Sequence, residues 1–188
     1  DRLGKAIDAY TKALSIKPDY AEAYNNMGLA LNDQGNFEEA LEAYNEALII
    51  KPDYAEAHLN LSYVLLYSGN LKKGLDEFDW RWKSAKTKPY KRAFSQPLWD
   101  GKHSLKGKRL LIWCEHGVGD TINWSSKISI ISSSADHCIL ECQEKLVPLL
   151  GRSFPDIEVK PEHNGQDPQR DDFDFHLPTG SIYRHCIP

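Results

Sequence analysis

The sequence holds no run of about 18 apolar residues, so no segment is expected to cross a membrane as a helix. It lacks a basic-then-apolar opening, because it starts Asp1-Arg2-Leu3-Gly4-Lys5, and no signal segment is expected at this end. It also lacks an initial Met, and the expectation is that the natural chain begins further upstream. Neither charge sign dominates: 23 Lys and Arg face 27 Asp and Glu for a net of −4, which gives bulk electrostatics no reason to capture nucleic acid or an anionic membrane. The first half has no cysteine at all. The four in the second half, Cys114, Cys138, Cys142 and Cys186, match no zinc spacing, so no metal is expected. Cys138 and Cys142 read as two residues on one face of a strand, and reduced thiols in a cytoplasm are the expectation.

What is present is a repeat. Ala21-Glu22-Ala23-Tyr24 returns as Ala55-Glu56-Ala57-His58, 34 positions later, and Lys17-Pro18-Asp19-Tyr20 returns as Lys51-Pro52-Asp53-Tyr54 at the same interval. Gly35-Asn36-Phe37 likewise returns as Gly69-Asn70-Leu71. Small residues (Gly28, Ala40, Ala47) stand where two helices must approach closely, and bulky ones (Tyr24, Met27, Leu31, Phe37, Leu41, Tyr44) recur between them at helical spacing. Gly35-Asn36 supplies a left-handed break between two helices, and Pro18 and Pro52 each stop a second helix. Period and pattern resemble the tetratricopeptide (TPR) family of helix–turn–helix repeats over residues 1 to about 84.

Residues 1–20 supply only the second helix of a repeat, with Leu3, Ala6, Tyr10 and Ala13 equivalent to Phe37, Ala40, Tyr44 and Ala47. A lone second helix cannot bury its face, so further repeats are expected before it and the chain reads as a fragment. With Ala21 and Ala55 as position one, position six is Asn26 and then Asn60. The TPR resemblance places first-helix residues on a concave face that binds a protein or peptide. In the similar O-linked N-acetylglucosamine transferases that position carries an asparagine ladder which holds a peptide backbone. Asn26 and Asn60 resemble two rungs of it; the other reading is that they are solvated surface residues, as expected for Asn25 and Asn45.

The third unit diverges, with Gly74 in place of the expected Ala, and ends in Phe78-Asp79-Trp80-Arg81-Trp82. Its aromatics are expected to cap the array and bury, with Arg81 pairing across the junction. Residues 85–107 are expected to form a linker. The surrounding basic stretch (Lys83, Lys86, Lys88, Lys91, Arg92) either contacts phosphate or is simply solvated, and Trp99 is expected to anchor the second domain.

From Lys108 the period changes. Arg109 to Cys114 is a nearly continuous apolar run of the kind found in buried parallel strands. Further strands are expected at 137–142, 157–159 and 173–177, with helices over 122–131 and 144–150, which implies a parallel α/β sheet. Between first strand and first helix lies Glu115-His116-Gly117-Val118-Gly119-Asp120-Thr121. This is neither a complete dinucleotide fingerprint nor a Walker motif. One reading is a ligand-approach loop at a helix N-terminus; the other is a tight turn with Asp120 capping the helix.

The series Phe78-Asp79-Trp80-Arg81-Trp82, Leu98-Trp99-Asp100-Gly101, Leu105-Lys106-Gly107-Lys108, Glu115 to Asp120 and Phe173 to Pro178 resembles a bacterial family that fuses TPR repeats to a glycosyltransferase-like domain. That family's loop usually reads Glu-Gln-Gly-x-Gly-Asp, and His116 departs from its Gln. The domain is similar to the acceptor half of GT-B glycosyltransferases such as the heptosyltransferases. The resemblance implies Asp120 as the base that deprotonates an acceptor hydroxyl, His116 as a rival base, and Gly117, Gly119 and Thr121 as substrate-binding positions. It further implies a sugar or protein acceptor and a nucleotide-sugar donor held mostly by a second half. Only about 80 residues follow Lys108, so this chain is expected to bind no cofactor and to be inactive alone.

The expected architecture is therefore a TPR helical-hairpin solenoid at 1–84 (21–54 a full repeat, 55–84 a divergent capping repeat), a linker at 85–107, and a partial Rossmann-like parallel α/β domain, GT-B-like, at 108–188. Three functions fit it: a protein-binding scaffold joined to the acceptor side of a glycosyltransferase, which is favoured, a TPR adaptor with a non-catalytic α/β cap, or an α/β domain that binds a nucleotide without catalysis.

Overall fold

The computed structural model describes residues 2–84, 92–115, 117–162 and 170–186. The chain divides into two units, Asp1–Pro89 and Tyr90–Pro188.

The first unit is helical: α1 (Arg2–Ile16), α2 (Ala21–Asp33), α3 (Phe37–Ile50), α4 (Ala55–Tyr67) and α5 (Leu71–Phe78), followed by a 3-10 turn at Asp79–Trp82. Glycine makes the repeat's internal turn possible. Gly35 and Gly69 take φ of 84° and 82°, a region closed to most side chains. At each turn two amides reach back into the preceding helix: Gly35 N to Asn32 O at 2.9 Å and Asn36 N to Leu31 O at 3.0 Å, then Gly69 N to Leu66 O at 3.2 Å and Asn70 N to Leu65 O at 2.9 Å. This double closure satisfies carbonyls that the helix end leaves unpaired.

Small residues act as expected. Ala40 and Ala47 are fully buried, and a methyl on Gly28 would stand 2.8 Å from Cε1 of the buried Tyr44 ring. Gly74 replaces Ala for a similar reason, since a methyl there would lie 2.8 Å from Cγ of Leu66. The core gathers Leu31, Ala40, Ala43, Tyr44, Leu61, Val64 and Leu65. Phe37, expected among the bulky core residues, is instead exposed and stacks on Tyr67 at a centroid distance of 6.3 Å. Helix α1 buries no residue fully.

The end of the first unit is held by side chains that replace the repeat pattern. His58, where the earlier repeat has Tyr24, lies flat on Trp80 with centroids 3.8 Å apart. Its Nδ1 faces Glu77 Oε2 at 2.5 Å and its Nε2 faces the Pro52 carbonyl at 2.9 Å. Arg81 is buried, donates to Asp79 Oδ1 at 3.0 Å and to the Phe78 carbonyl at 3.2 Å, and stacks between the Phe78 and Trp82 rings. These contacts lie within the last turn of the helical unit.

The second unit is a four-stranded, all-parallel sheet in the order β3-β2-β1-β4: β1 (Arg109–Trp113), β2 (His137–Cys142), β3 (Glu158–Pro161) and β4 (Phe175–Pro178). Helices α6 (Val118–Ser125), α7 (Ile128–Ser132), α8 (Val147–Ser153) and α9 (Ile182–Cys186) accompany it. The expected single helix at 122–131 is two shorter ones, because the chain breaks at Ser126-Lys127. Alternate residues sort the faces. Leu110, Ile112, Cys114, Cys138, Leu140, Cys142 and Leu177 join Ile128, Ile131, Leu146, Leu150 and Ile182 in one core. Trp113, Glu141 and His176 belong to the opposite face, where Phe94 packs edge-on to Trp113 and Phe173.

Residues 92–107, assigned to a linker from sequence, pack onto this second unit. Trp99 is buried and its Nε1 donates to the His103 carbonyl at 2.8 Å, the anchoring role expected of it. Residues 85–91 lie outside the described residues.

Candidate functional site

The first candidate lies on the helices of the repeat. Asn26 and Asn60 stand on α2 and α4, and a third amide joins them. Asn60 Nδ2 donates to Asn25 Oδ1 at 2.9 Å, and Asn25 Nδ2 donates to Asn26 Oδ1 at 3.3 Å. Asn25 is 5% exposed. The expectation that it is plain surface is thus corrected: it is the buried middle of the chain of amides. The signal was present one repeat later, where Asn25's equivalent is the buried Leu59. Position five of the repeat faces inward, and a polar residue there must be hydrogen-bonded. Asn45 is exposed, as expected. Beside the amides, Leu29 and Tyr63, both at position nine, are about half exposed, and Tyr67 is 86% exposed.

The second candidate is the loop that leaves the carboxyl end of β1. Gly117 is the N-cap of α6 with φ −64° and ψ 174°, and no side chain caps this helix. Asp120 is exposed in the first turn, where a carboxylate favours the helix dipole. The capping reading of Asp120 is corrected accordingly. Positive φ is found at Gly35, Gly69, Gly101 and Gly107, and not at Gly117 or Gly119. A methyl on Gly119 would touch nothing within 4 Å, and one on Gly117 would reach only Asp120 Oδ2, at 4.0 Å. Neither backbone nor packing requires glycine at these two positions. Thr121 is buried, and its hydroxyl donates to Gln143 Oε1 at 3.2 Å, which ties α6 to the end of β2 rather than presenting the hydroxyl to a ligand. His116 lies outside the described residues.

Sequence reasoning missed two buried carboxylates near this loop. Glu115, 5% exposed, accepts the Gly180 amide at 2.7 Å and so joins the carboxyl ends of β1 and β4. Glu141, fully buried at the end of β2, accepts Arg92 Nη1 at 2.6 Å and also pairs with Arg170. Arg170 in turn bonds Asp172 at 2.7 Å, and its guanidinium holds that carboxyl below the usual 3.8. Arg92, read as part of a solvated or phosphate-contacting stretch, is therefore committed to a buried ion pair. Burial pushes the Cys114 and Cys138 thiols up to about 12 and Cys142 to about 11, which leaves them protonated and poor nucleophiles at neutral pH.

The helical unit defines the class. Its helices match the TPR repeat family twice, over residues 2–35 and 28–69, and the unit is built of TPR repeats. No helix among the described residues is long and apolar enough to cross a membrane. The chain is 29% identical over 156 residues to Protein FlbA of Caulobacter vibrioides, in an alignment covering 80% of this chain and 26% of that protein. It thus spans about a quarter of that relative's length. Among solved structures it is similar to MamA (27% identity, 47% of this chain and 52% of that one, TM-score 0.42). It is also similar to the TPR2B domain of yeast Sti1 in complex with pHsp70 (25% identity, 46% and 70%, TM-score 0.43).

Proposed function

We propose that the chain acts through its TPR repeats as a binding module that takes an extended segment of another protein on the face shared by α2 and α4. The chain of amides from Asn60 through Asn25 to Asn26 carries this reading. Each amide offers donor and acceptor in the geometry of a peptide group. Their mutual bonds use one N–H of Asn60 Nδ2 and one lone pair of Asn26 Oδ1, leaving Asn60 Oδ1 to accept a backbone N–H and Asn26 Nδ2 to donate to a backbone C=O. Leu29, Tyr63 and Tyr67 supply apolar surface for the side chains between. The test is Asn60→Ala, read by fluorescence anisotropy with peptides selected on the intact chain. Loss of one such bond weakens binding about two- to tenfold, with helicity unchanged. Equal affinity would remove the amides from the site.

A second reading concerns the α/β unit, as the acceptor side of a glycosyltransferase-like domain. Its support is the strand order β3-β2-β1-β4, which reverses direction at β1, together with the placement of Gly117 and the first turn of α6 just beyond that strand's carboxyl end. Open parallel sheets bind ligands at such a point. Asp120 would accept the proton of an acceptor hydroxyl as its oxygen bonds the sugar's anomeric carbon and the nucleoside diphosphate departs. Gly117 and Gly119 leave room for that acceptor, Thr121 holds α6 in place, and His116 belongs to the same loop. A second half would hold the nucleotide-sugar donor. Asp120→Asn in a polypeptide carrying both halves should abolish turnover without unfolding it, and unchanged turnover removes Asp120 from the chemistry. Buried, unpaired thiols favour a reducing cytoplasm as the setting.

A further inference from the structure

The helices that carry the amides are strongly one-signed. Helices α2 and α4 hold Glu22, Asp33 and Glu56, and the stretch 21–67 as a whole, α3 and the turns included, holds eight Asp and Glu against a single cation, Lys51. Neither α2 nor α4 contains a Lys or Arg. Their one histidine, His58, is engaged with Glu77 and the Pro52 carbonyl. Glu22, Asn26, Leu29 and Asp33 follow one another at spacings of four, three and four on α2, and Glu56, Asn60, Tyr63 and Tyr67 repeat those spacings on α4. Acids therefore flank the amides at both ends. Lys51 lies 3.7 Å from Glu22 and over the Tyr54 ring at 4.8 Å, one exposed pair that leaves the balance acidic. Glu56 accepts Ser84 Oγ at 3.5 Å.

We infer that the segment held on the α2/α4 face is basic: an extended peptide with Lys or Arg spaced between apolar side chains. This rests on the peptide-binding reading above and adds the chemistry of the occupant. A cation in the segment meets carboxylates at Asp33, Glu22 and Glu56, and its stem lies on exposed tyrosine. Tyr67, 86% exposed, offers such a cation a ring face, the contact that Lys17 and Lys51 already make with Tyr20 and Tyr54 at 5.1 and 4.8 Å. An acidic segment would set like charges side by side, and the same field repels phosphate and anionic lipid.

The experiment is to pan a random twelve-residue peptide display library on the whole chain, and to measure anisotropy for the enriched peptide and for its Lys/Arg→Glu counterpart. Enriched peptides should be net positive. The enriched peptide should lose roughly three- to tenfold in affinity between 50 and 300 mM salt, and lose at least fivefold against the Asp33→Lys, Glu56→Lys double variant, checked for helicity by circular dichroism. The Glu counterpart should bind that variant better than the wild type. If neutral or acidic peptides are enriched and Asn60→Ala weakens them, the peptide site stands and the basic occupant is overturned. If nothing is enriched, both fall. If basic peptides bind the charge-reversed variant or Asn60→Ala as well as wild type, they are held elsewhere and the inference is overturned.

Discussion

In the helical unit, residues find partners within a repeat or two. Gly28 meets Tyr44, Gly74 meets Leu66, and Asn25 meets Asn60 one period on. In the α/β unit, partners come from across the unit's sequence: Leu110 of β1 lies between Cys138 and Phe175, and Glu141 draws on Arg92 and Arg170. One kind of order is local and repeated, the other long-range and single-copy. A repeat offers each position a second copy by which to judge it. A sheet offers none, so an isolated charge such as Arg92 looks solvated until its partner is known.

The sharpest break of this comparison is Glu141→Ala. It takes the buried carboxylate away from Arg92 and Arg170, and should cost about 3–5 kcal/mol. The urea midpoint followed by Trp fluorescence reports it, because Trp113 lies 5.8 Å from the Arg92 guanidinium. An unchanged midpoint would mean the pair is not buried in solution. In the helical unit the counterpart is Gly28→Ala, where the added methyl meets the Tyr44 ring at 2.8 Å. Overpacking outweighs the gain in helix propensity, for a net loss of about 1–2 kcal/mol by thermal denaturation.

The same substitution at Gly119 should have the opposite sign. A methyl there touches nothing within 4 Å, so Gly119→Ala should stabilise by about 0.5–1 kcal/mol. Destabilisation would reveal a packing demand on that loop. The smallest effect is on pH dependence. Arg170 depresses the Asp172 carboxyl below 3.8, so its contribution is present above that value and fades as pH falls through the lower folded value. Asp172→Asn should therefore melt less steeply with acid below about pH 4 than the wild type does. Parallel acid profiles would mean that Asp172 does not hold Arg170.

Much of the fold could be read directly. The helix breaks of the repeats, the glycine turns, the close approach at Gly28 and the strand after Lys108 all come from period and residue type, whereas the helix expected at 122–131 is two. The amide site was half legible. Asn26 and Asn60 stand out by their shared position, but Asn25 escaped because its equivalent is apolar and its burial depends on how α2 meets α4. Phe37 misled because bulk at a repeat position does not say which helix covers it. At the loop after β1, Gly117, Gly119 and Asp120 were visible as a motif, yet Glu115's bond to Gly180 was not, since its partner lies 65 residues away.

By itself, then, the sequence determined where chains turn, which residues repeat, and which faces are apolar, because these depend on backbone conformation and on neighbours three or four positions away. The tertiary structure alone decided which polar groups are buried together. Asn25 bridges two asparagines, Arg92 and Arg170 converge on Glu141, and His58 is clasped between Glu77 and Pro52. A buried polar group must find a partner wherever in the chain that partner lies, and nothing in local spacing says where that will be.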